Sequence, residues 1–166
     1  MPFNINGIIM PETIEEVRAT LIKLGILGPW IEELDYLSWG LINGYVCTIK
    51  RSTATFCYCG YVSIPPDHPM HGVGYDGAIY GIKVHGGIRV HGGITFAGLS
   101  IDSGYWTFGF DCSHLGDVAP AMISYQSNPY KHAVSFEEKY RDLAYVIKEV
   151  DSLAQQLSLE SLKCLK

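Results

Sequence analysis

The sequence predicts an α+β fold. It should hold an antiparallel sheet of about five or six strands, packed against a long C-terminal helix and flanked by N-terminal helices. Three observations carry that prediction. β-branched and aromatic residues alternate with small or polar ones through the middle of the chain, at the period of strands. Glycine and proline clusters punctuate the same region. Near the end the period changes, and Tyr140, Leu143, Ala144, Ile147, Val150, Ala154 and Leu157 recur at helical spacing.

With 166 residues, a single domain is the expectation. Hydrophobic residues make up 48% and charged residues 17%, which suits a packed core and excludes a disordered chain. The formal net charge is −5 and no Lys/Arg cluster appears, so a nucleic-acid duplex is not an expected partner. Cysteines stand at Cys47, Cys57, Cys59, Cys112 and Cys164 with no C-x-x-C pair, which fits reduced thiols in a cytoplasm. Met1 to Met10 lacks the pattern of a signal peptide, and no run of about 18 apolar residues predicts a membrane span.

In chain order, Pro11-Glu12-Thr13 reads as a helix start, and Ile14, Val17, Leu21 and Leu24 as its apolar stripe, stopped by Gly25 or Gly28. A short helix or turn is expected over 29–37, with Trp30, Ile31 and Leu34 facing inward. Residues 41–48 and 53–64 read as strands around a turn at Lys50-Arg51-Ser52, the second stopping at Pro65-Pro66. Residues 67–77 read as a loop. A short echo follows, Ile82 to Gly87 and then Ile88 to Gly93, each ending His-Gly-Gly, and His91 is favoured over His85 as the functional copy. Residues 90–96 and 105–110 read as a hairpin around the small, polar stretch 97–104. Residues 118–134 are irregular and long enough for a flap. Ser135 to Glu138 reads as a capping box opening a helix over 135–158, with Leu143, Ile147, Val150 and Ala154 buried.

The chemistry concentrates around that hairpin. His91 and His114 are the leading pair, because two facing imidazoles can serve as base and acid across one scissile bond. Asp111 or Asp117 would orient His114. Thr95, four residues from His91, would share its strand face and hold a phosphate or carbonyl oxygen, and Gly92 and Gly93 would admit a ligand close to the backbone. Tyr61, His68, Tyr75, Trp106 and Arg141 complete the expected ligand-binding set, the aromatics for stacking and Arg141 for phosphate. The plain alternative makes these histidines hydrogen-bonded structural groups and the aromatics sheet core. Metal is the competing use: His68, His71, His85, Cys57 and Cys59 add donors to His91, Asp111 and His114. No zinc signature has the required spacing, so no metal and no cofactor is expected. Phosphate-loop, dinucleotide and nucleophile-elbow patterns are absent.

His91-Gly92-Gly93-Ile94-Thr95-Phe96 and Phe110-Asp111-Cys112-Ser113-His114-Leu115-Gly116-Asp117 resemble a family of small bacteriophage and prophage proteins. Gly60-Tyr61-Val62, Pro65, His68-Pro69, Tyr75-Asp76 and Tyr140-Arg141-Asp142 add to the resemblance, which covers about residues 55 to 157. It implies a phage origin, the cytoplasm of an infected bacterium, and a role against host defence. The expected function is therefore metal-independent hydrolysis of a small nucleotide-like immune signal. A non-catalytic sponge for the intact nucleotide is the alternative, and a structural or host-protein-binding phage protein the second. A homo-oligomer stays open.

Overall fold

Alternating side chains build one five-stranded antiparallel sheet. Its strands are β3 (Tyr36–Gly40), β4 (Val46–Arg51), β5 (Tyr58–Ile64), β6 (Phe96–Leu99) and β7 (Trp106–Asp111), in spatial order β3-β4-β5-β7-β6. The computed structural model describes residues 4–5, 8–9, 13–75, 87–100, 103–123 and 138–163. A separate two-stranded sheet pairs β1 (Asn4–Ile5) with β2 (Ile8–Ile9). The helices are α1 (Ile14–Lys23), α2 (Pro120–Ile123) and α3 (Leu143–Lys163), with a 3-10 turn at Pro29–Ile31.

On one sheet face Cys47 and Ile49, then Tyr58, Val62 and Ile64, then Phe108 and Phe110 are buried. Helix α3 covers that face with Val146, Val150, Leu153, Ala154 and Leu157. Each large apolar side chain so buried contributes about 1.5–3 kcal/mol. Gly60 sets the approach: a Cβ there would lie 2.6 Å from the Phe110 ring and 2.7 Å from Val150. The intervening residues Lys50, Tyr61, Ser63, Thr107 and Asp111 belong to the other face by strand alternation.

A second core joins Val17 and Leu21 of α1 to Trp30, Phe56 and Ala121. The α1 start is a capping box, with Thr13 Oγ1 accepting from Glu16 N–H and Glu16 accepting from Thr13 N–H. Between the cores lies Arg51, whose side chain is 0% exposed. It donates to Glu33, Asp35, the carbonyls of Trp30 and Phe56, and the hydroxyls of Tyr58 and Tyr140.

Several boundaries differ from those expected. Tyr36–Gly40 is a strand, and Leu34 is 61% exposed rather than inward. Residues 41–44 form the turn into β4, where Gly44 takes φ 82°. Lys50 and Arg51 belong to β4, and the turn lies just after them, closed by Phe56 N–H donating to Ser52 C=O. Leu24 caps α1 and is exposed. The expected antiparallel hairpin is present, but shifted: residues 90–95 are not strand, because Gly92 (φ 66°) and Gly93 (φ 88°) turn the chain, and β6 runs from Phe96 into 97–99, residues expected to be loop.

Helix α3 starts at Leu143, not at 135. Residues 138–142 are held away from it by Lys139, which forms a parallel bridge with Asp117 and whose N–H donates to Gly116 C=O. Asp142 is the true cap: its Oδ1 accepts from Tyr145 N–H at 2.8 Å. Of the expected stripe, Val150, Ala154 and Leu157 are buried, Leu143 and Ile147 are half-buried and Ala144 is exposed. Val146 and Leu153 take the missing core places. The expected flap over 118–134 is described only to residue 123, where Pro120–Ile123 is helical; the rest of it, with His85, Asp76, Cys164 and Ser135 of the expected capping box, lies outside the described residues. No described helix is long and apolar enough to cross a membrane.

Candidate functional site

Asp111 ends β7 on the face away from α3, and the chain turns immediately after it. Ser113 N–H and Oγ–H both donate to Asp111 Oδ1, at 3.1 and 2.7 Å, and Thr95 Oγ1 donates to Oδ2 at 2.9 Å. Burial pushes the Asp111 carboxyl up, but these hydrogen bonds outweigh it and hold it below its ordinary value. The turn then places His114 and Asp117 beside each other, with Asp117 N–H donating to His114 C=O.

Asp117 is the hub. Its side chain is 1% exposed. Oδ2 accepts from His91 Nε2 at 2.7 Å and from His114 N–H at 3.0 Å, and Oδ1 accepts from Arg141 Nε at 2.8 Å. Burial raises this carboxyl too, but the bonds from Arg141, His91 and His114 outweigh it and keep it ionised at neutral pH. An ionised carboxylate only accepts, so His91 Nε2 carries the proton. In the tautomer that this selects, Nδ1 carries the ring's lone pair, and the Tyr145 hydroxyl 3.0 Å away donates a hydrogen bond to it. Glu149 completes the clamp by accepting from His91 N–H at 2.8 Å.

His114 packs edge-on to His91, with ring centroids 5.4 Å apart. Its ring also lies against Gly92, where a Cβ would come within 2.1 Å of Cε1. Gly92 is thus required twice, for its positive φ and for that approach. The His114 side chain is 33% exposed, and its buried Nδ1 has no hydrogen-bond partner among the described residues. Asp117 Oδ2 and Asp111 Oδ1 lie 3.8 and 3.9 Å away, beyond hydrogen-bond range.

The structure therefore brings together His91, His114, Asp111, Asp117, Thr95, Gly92 and Arg141. Two expected roles change. Asp117 orients the His91 ring, while neither carboxylate bonds the His114 ring. Thr95 shares no strand face with His91, and its hydroxyl is committed to Asp111. The remaining ligand-binding candidates are elsewhere. Trp106 opens β7, about 17 Å along the strand from Asp111, and its indole N–H donates to Val73 C=O. His68 is buried and bonds the Leu157 carbonyl, about 18 Å along α3 from Tyr145. Tyr75 is exposed at the end of its described loop. Tyr61 lies on the face shared with Asp111, in a cavity of about 320 Å³ with Lys50, Ser63, Phe96 and Thr107. Its ring meets Phe96 edge-on, and the Lys50 ammonium sits 5.1 Å from its centroid.

Cys112, close in sequence to His114, is buried and its thiol is pushed up by that burial, so it is no thiolate nucleophile. Sequence reasoning missed Tyr145 and Glu149. The available signal was the i,i+4 pair Tyr145 and Glu149, a polar stripe beside the apolar one. For a metal, His91, His114 and Asp117 offer ligand atoms within 4.8 Å of one another. A cation there would compete with the donors already on Asp117. No protein-family model, curated protein or solved structure matches the chain.

Proposed function

We propose that the protein hydrolyses a small nucleotide-like phosphodiester, with His91 as general base and His114 as general acid. The observation that carries this reading is the pair of imidazoles 5.4 Å apart in different states of engagement. His91 is fixed by Asp117 in the tautomer with a basic Nδ1. His114 keeps a third of its side chain open to solvent. A positioned acid or base contributes about 10²–10⁴-fold. Arg141 is anchored through Nε alone among the described residues, which leaves its terminal nitrogens for phosphate oxygens. The cavity with Tyr61, Phe96 and Lys50 supplies aromatic surface and a cation for a nucleobase. Gly109, which pairs with both Tyr61 and Phe96, lies about 7 Å from Asp111 along β7. The phage-like motifs hold His91, Asp111, His114 and Asp117, and they support a role against a nucleotide immune signal in an infected bacterial cytoplasm.

A metal-dependent version has one observation in its favour, the buried and unpartnered Nδ1 of His114 beside Asp117 and His91. The test is incubation with a panel of cyclic dinucleotides and cyclic ADP-ribose isomers, followed by denaturation and chromatography. Hydrolysis gives more than one product molecule per chain and survives EDTA. Activity lost to EDTA and restored by a divalent cation selects the metal version. Ligand depleted but returned intact identifies a sponge and overturns the hydrolase.

A further inference from the structure

His91 has no free ring nitrogen. Nε2 donates to Asp117 and Nδ1 accepts from the Tyr145 hydroxyl. A base whose lone pair already holds a hydroxyl proton deprotonates that hydroxyl first, and water would have to displace it. Carboxylate, imidazole and hydroxyl in sequence form the arrangement that activates a side-chain nucleophile. Tyr145 stands in the first turn of α3 and is only half-buried. The Arg141 guanidinium lies 4.8 Å from its ring centroid. Burial, with Glu149 adding to it, pushes the Tyr145 hydroxyl above its ordinary value. It therefore does not ionise by itself at neutral pH and depends on the adjacent base.

We propose that Tyr145 is the nucleophile of this site and carries a covalent phosphotyrosyl intermediate. The inference rests on the hydrolase reading above and replaces water as the first attacking group. In the first step the Tyr145 oxygen bonds phosphorus as the ester bond to the leaving oxygen breaks. The Tyr145 proton passes to His91 Nδ1, giving an imidazolium held by Asp117. The leaving oxygen takes a proton from protonated His114. In the second step water attacks phosphorus and gives its proton to His114. The Tyr145 oxygen leaves and recovers its proton from His91. Arg141 faces the charge on both the phosphate and the departing phenolate. Net consumption is one water per ester, with no oxidant or reductant.

The probe is bis(4-nitrophenyl) phosphate, mixed with the full chain, quenched in acid at short times and analysed for 4-nitrophenolate and for protein adducts by peptide mass spectrometry. The expected result is a burst of 4-nitrophenolate approaching one per chain, with the phosphoryl adduct on Tyr145. Tyr145→Phe should lose the adduct and at least a hundredfold of turnover. His91→Ala should slow the burst by about a hundredfold. His114→Ala should slow it far less, because nitrophenolate departs without a proton, and should let the adduct accumulate. Adduct mapping on the wild-type chain stands even where a variant fails to fold. Steady release with no adduct at any time, or undiminished release by folded Tyr145→Phe, overturns the nucleophile and leaves the hydrolase. Absence of release and of adduct from a wild type that turns over the nucleotide panel overturns the nucleophile, and absence of turnover on both substrates overturns the hydrolase as well.

Discussion

Two polar networks lie side by side, and adjacent residues feed them: Tyr140 reaches Arg51, and Arg141 reaches Asp117. Around Arg51, Nε, Nη1 and Nη2 all have acceptors, the side chain is sealed from solvent, and Glu33 ties the network to the first free N–H of α3. Around Asp117 the carboxylate is equally buried, but among the described residues His114 Nδ1, one of the two imidazoles packed at its centre, lacks a partner and the Arg141 side chain is 25% exposed, whereas near Arg51 the unpartnered atom is Arg18 Nε, at the rim beyond Asp35. A closed network holds elements in place. An open one of the same residue types stores unmet hydrogen-bonding capacity at the surface, where a ligand can meet it.

The sharpest way to break the comparison is to cut both networks. Arg51→Met should cost about 3–5 kcal/mol in urea unfolding, because it strands buried carbonyls and leaves Glu33 without its cation, while Asp35 keeps only Arg18. The protein that remains folded should keep its turnover per molecule. Asp117→Asn should do the reverse. It should cost less stability, about 1–3 kcal/mol, while turnover falls a hundredfold or more as His91 loses its tautomer. Turnover and urea curves on both variants check this, and parallel losses in the two would erase the distinction.

Gly92→Ala probes the contact that sets His114. The positive φ alone costs roughly 1–2 kcal/mol, and the added methyl must displace the imidazole. Turnover should fall at least tenfold, with ligand affinity changing less.

The smallest effect expected is on acid stability. Asp111 and Asp117 are held below their ordinary values in the folded chain. Their contribution is thus complete above the unfolded carboxylate value, about pH 4, and is lost as pH falls through the folded values. Thermal melts should fall more steeply below that pH for the wild type than for Asp117→Asn. Equal slopes would remove the pH-linked part of the account.

The sheet's interior was legible because β5 alternates Tyr58, Gly60, Val62 and Ile64 inward with Cys59, Tyr61 and Ser63 outward. β3 was not, since five residues with a serine at the centre and a glycine at the end, on an edge, make a weak pattern. His91, His114 and Asp117 stood out by residue type. Tyr145 did not, because its direction depends on helix phase, and phase depends on a start at Asp142 set by tertiary contacts of Lys139 and Glu33. Arg51 looked like a turn residue. Nothing local marks an arginine for burial when its acceptors lie on Trp30, Glu33 and Asp35 and across the fold at Tyr140.

The central claim is that the open network performs chemistry. The most direct measurement is product formed per chain from the cyclic nucleotide panel, for the wild type and for His114→Ala with its fold confirmed by circular dichroism. The account predicts multiple turnovers by the wild type and a loss of about a hundredfold or more in the variant, with ligand binding retained. Equal turnover by the two proteins, or ligand recovered intact from both, would contradict it.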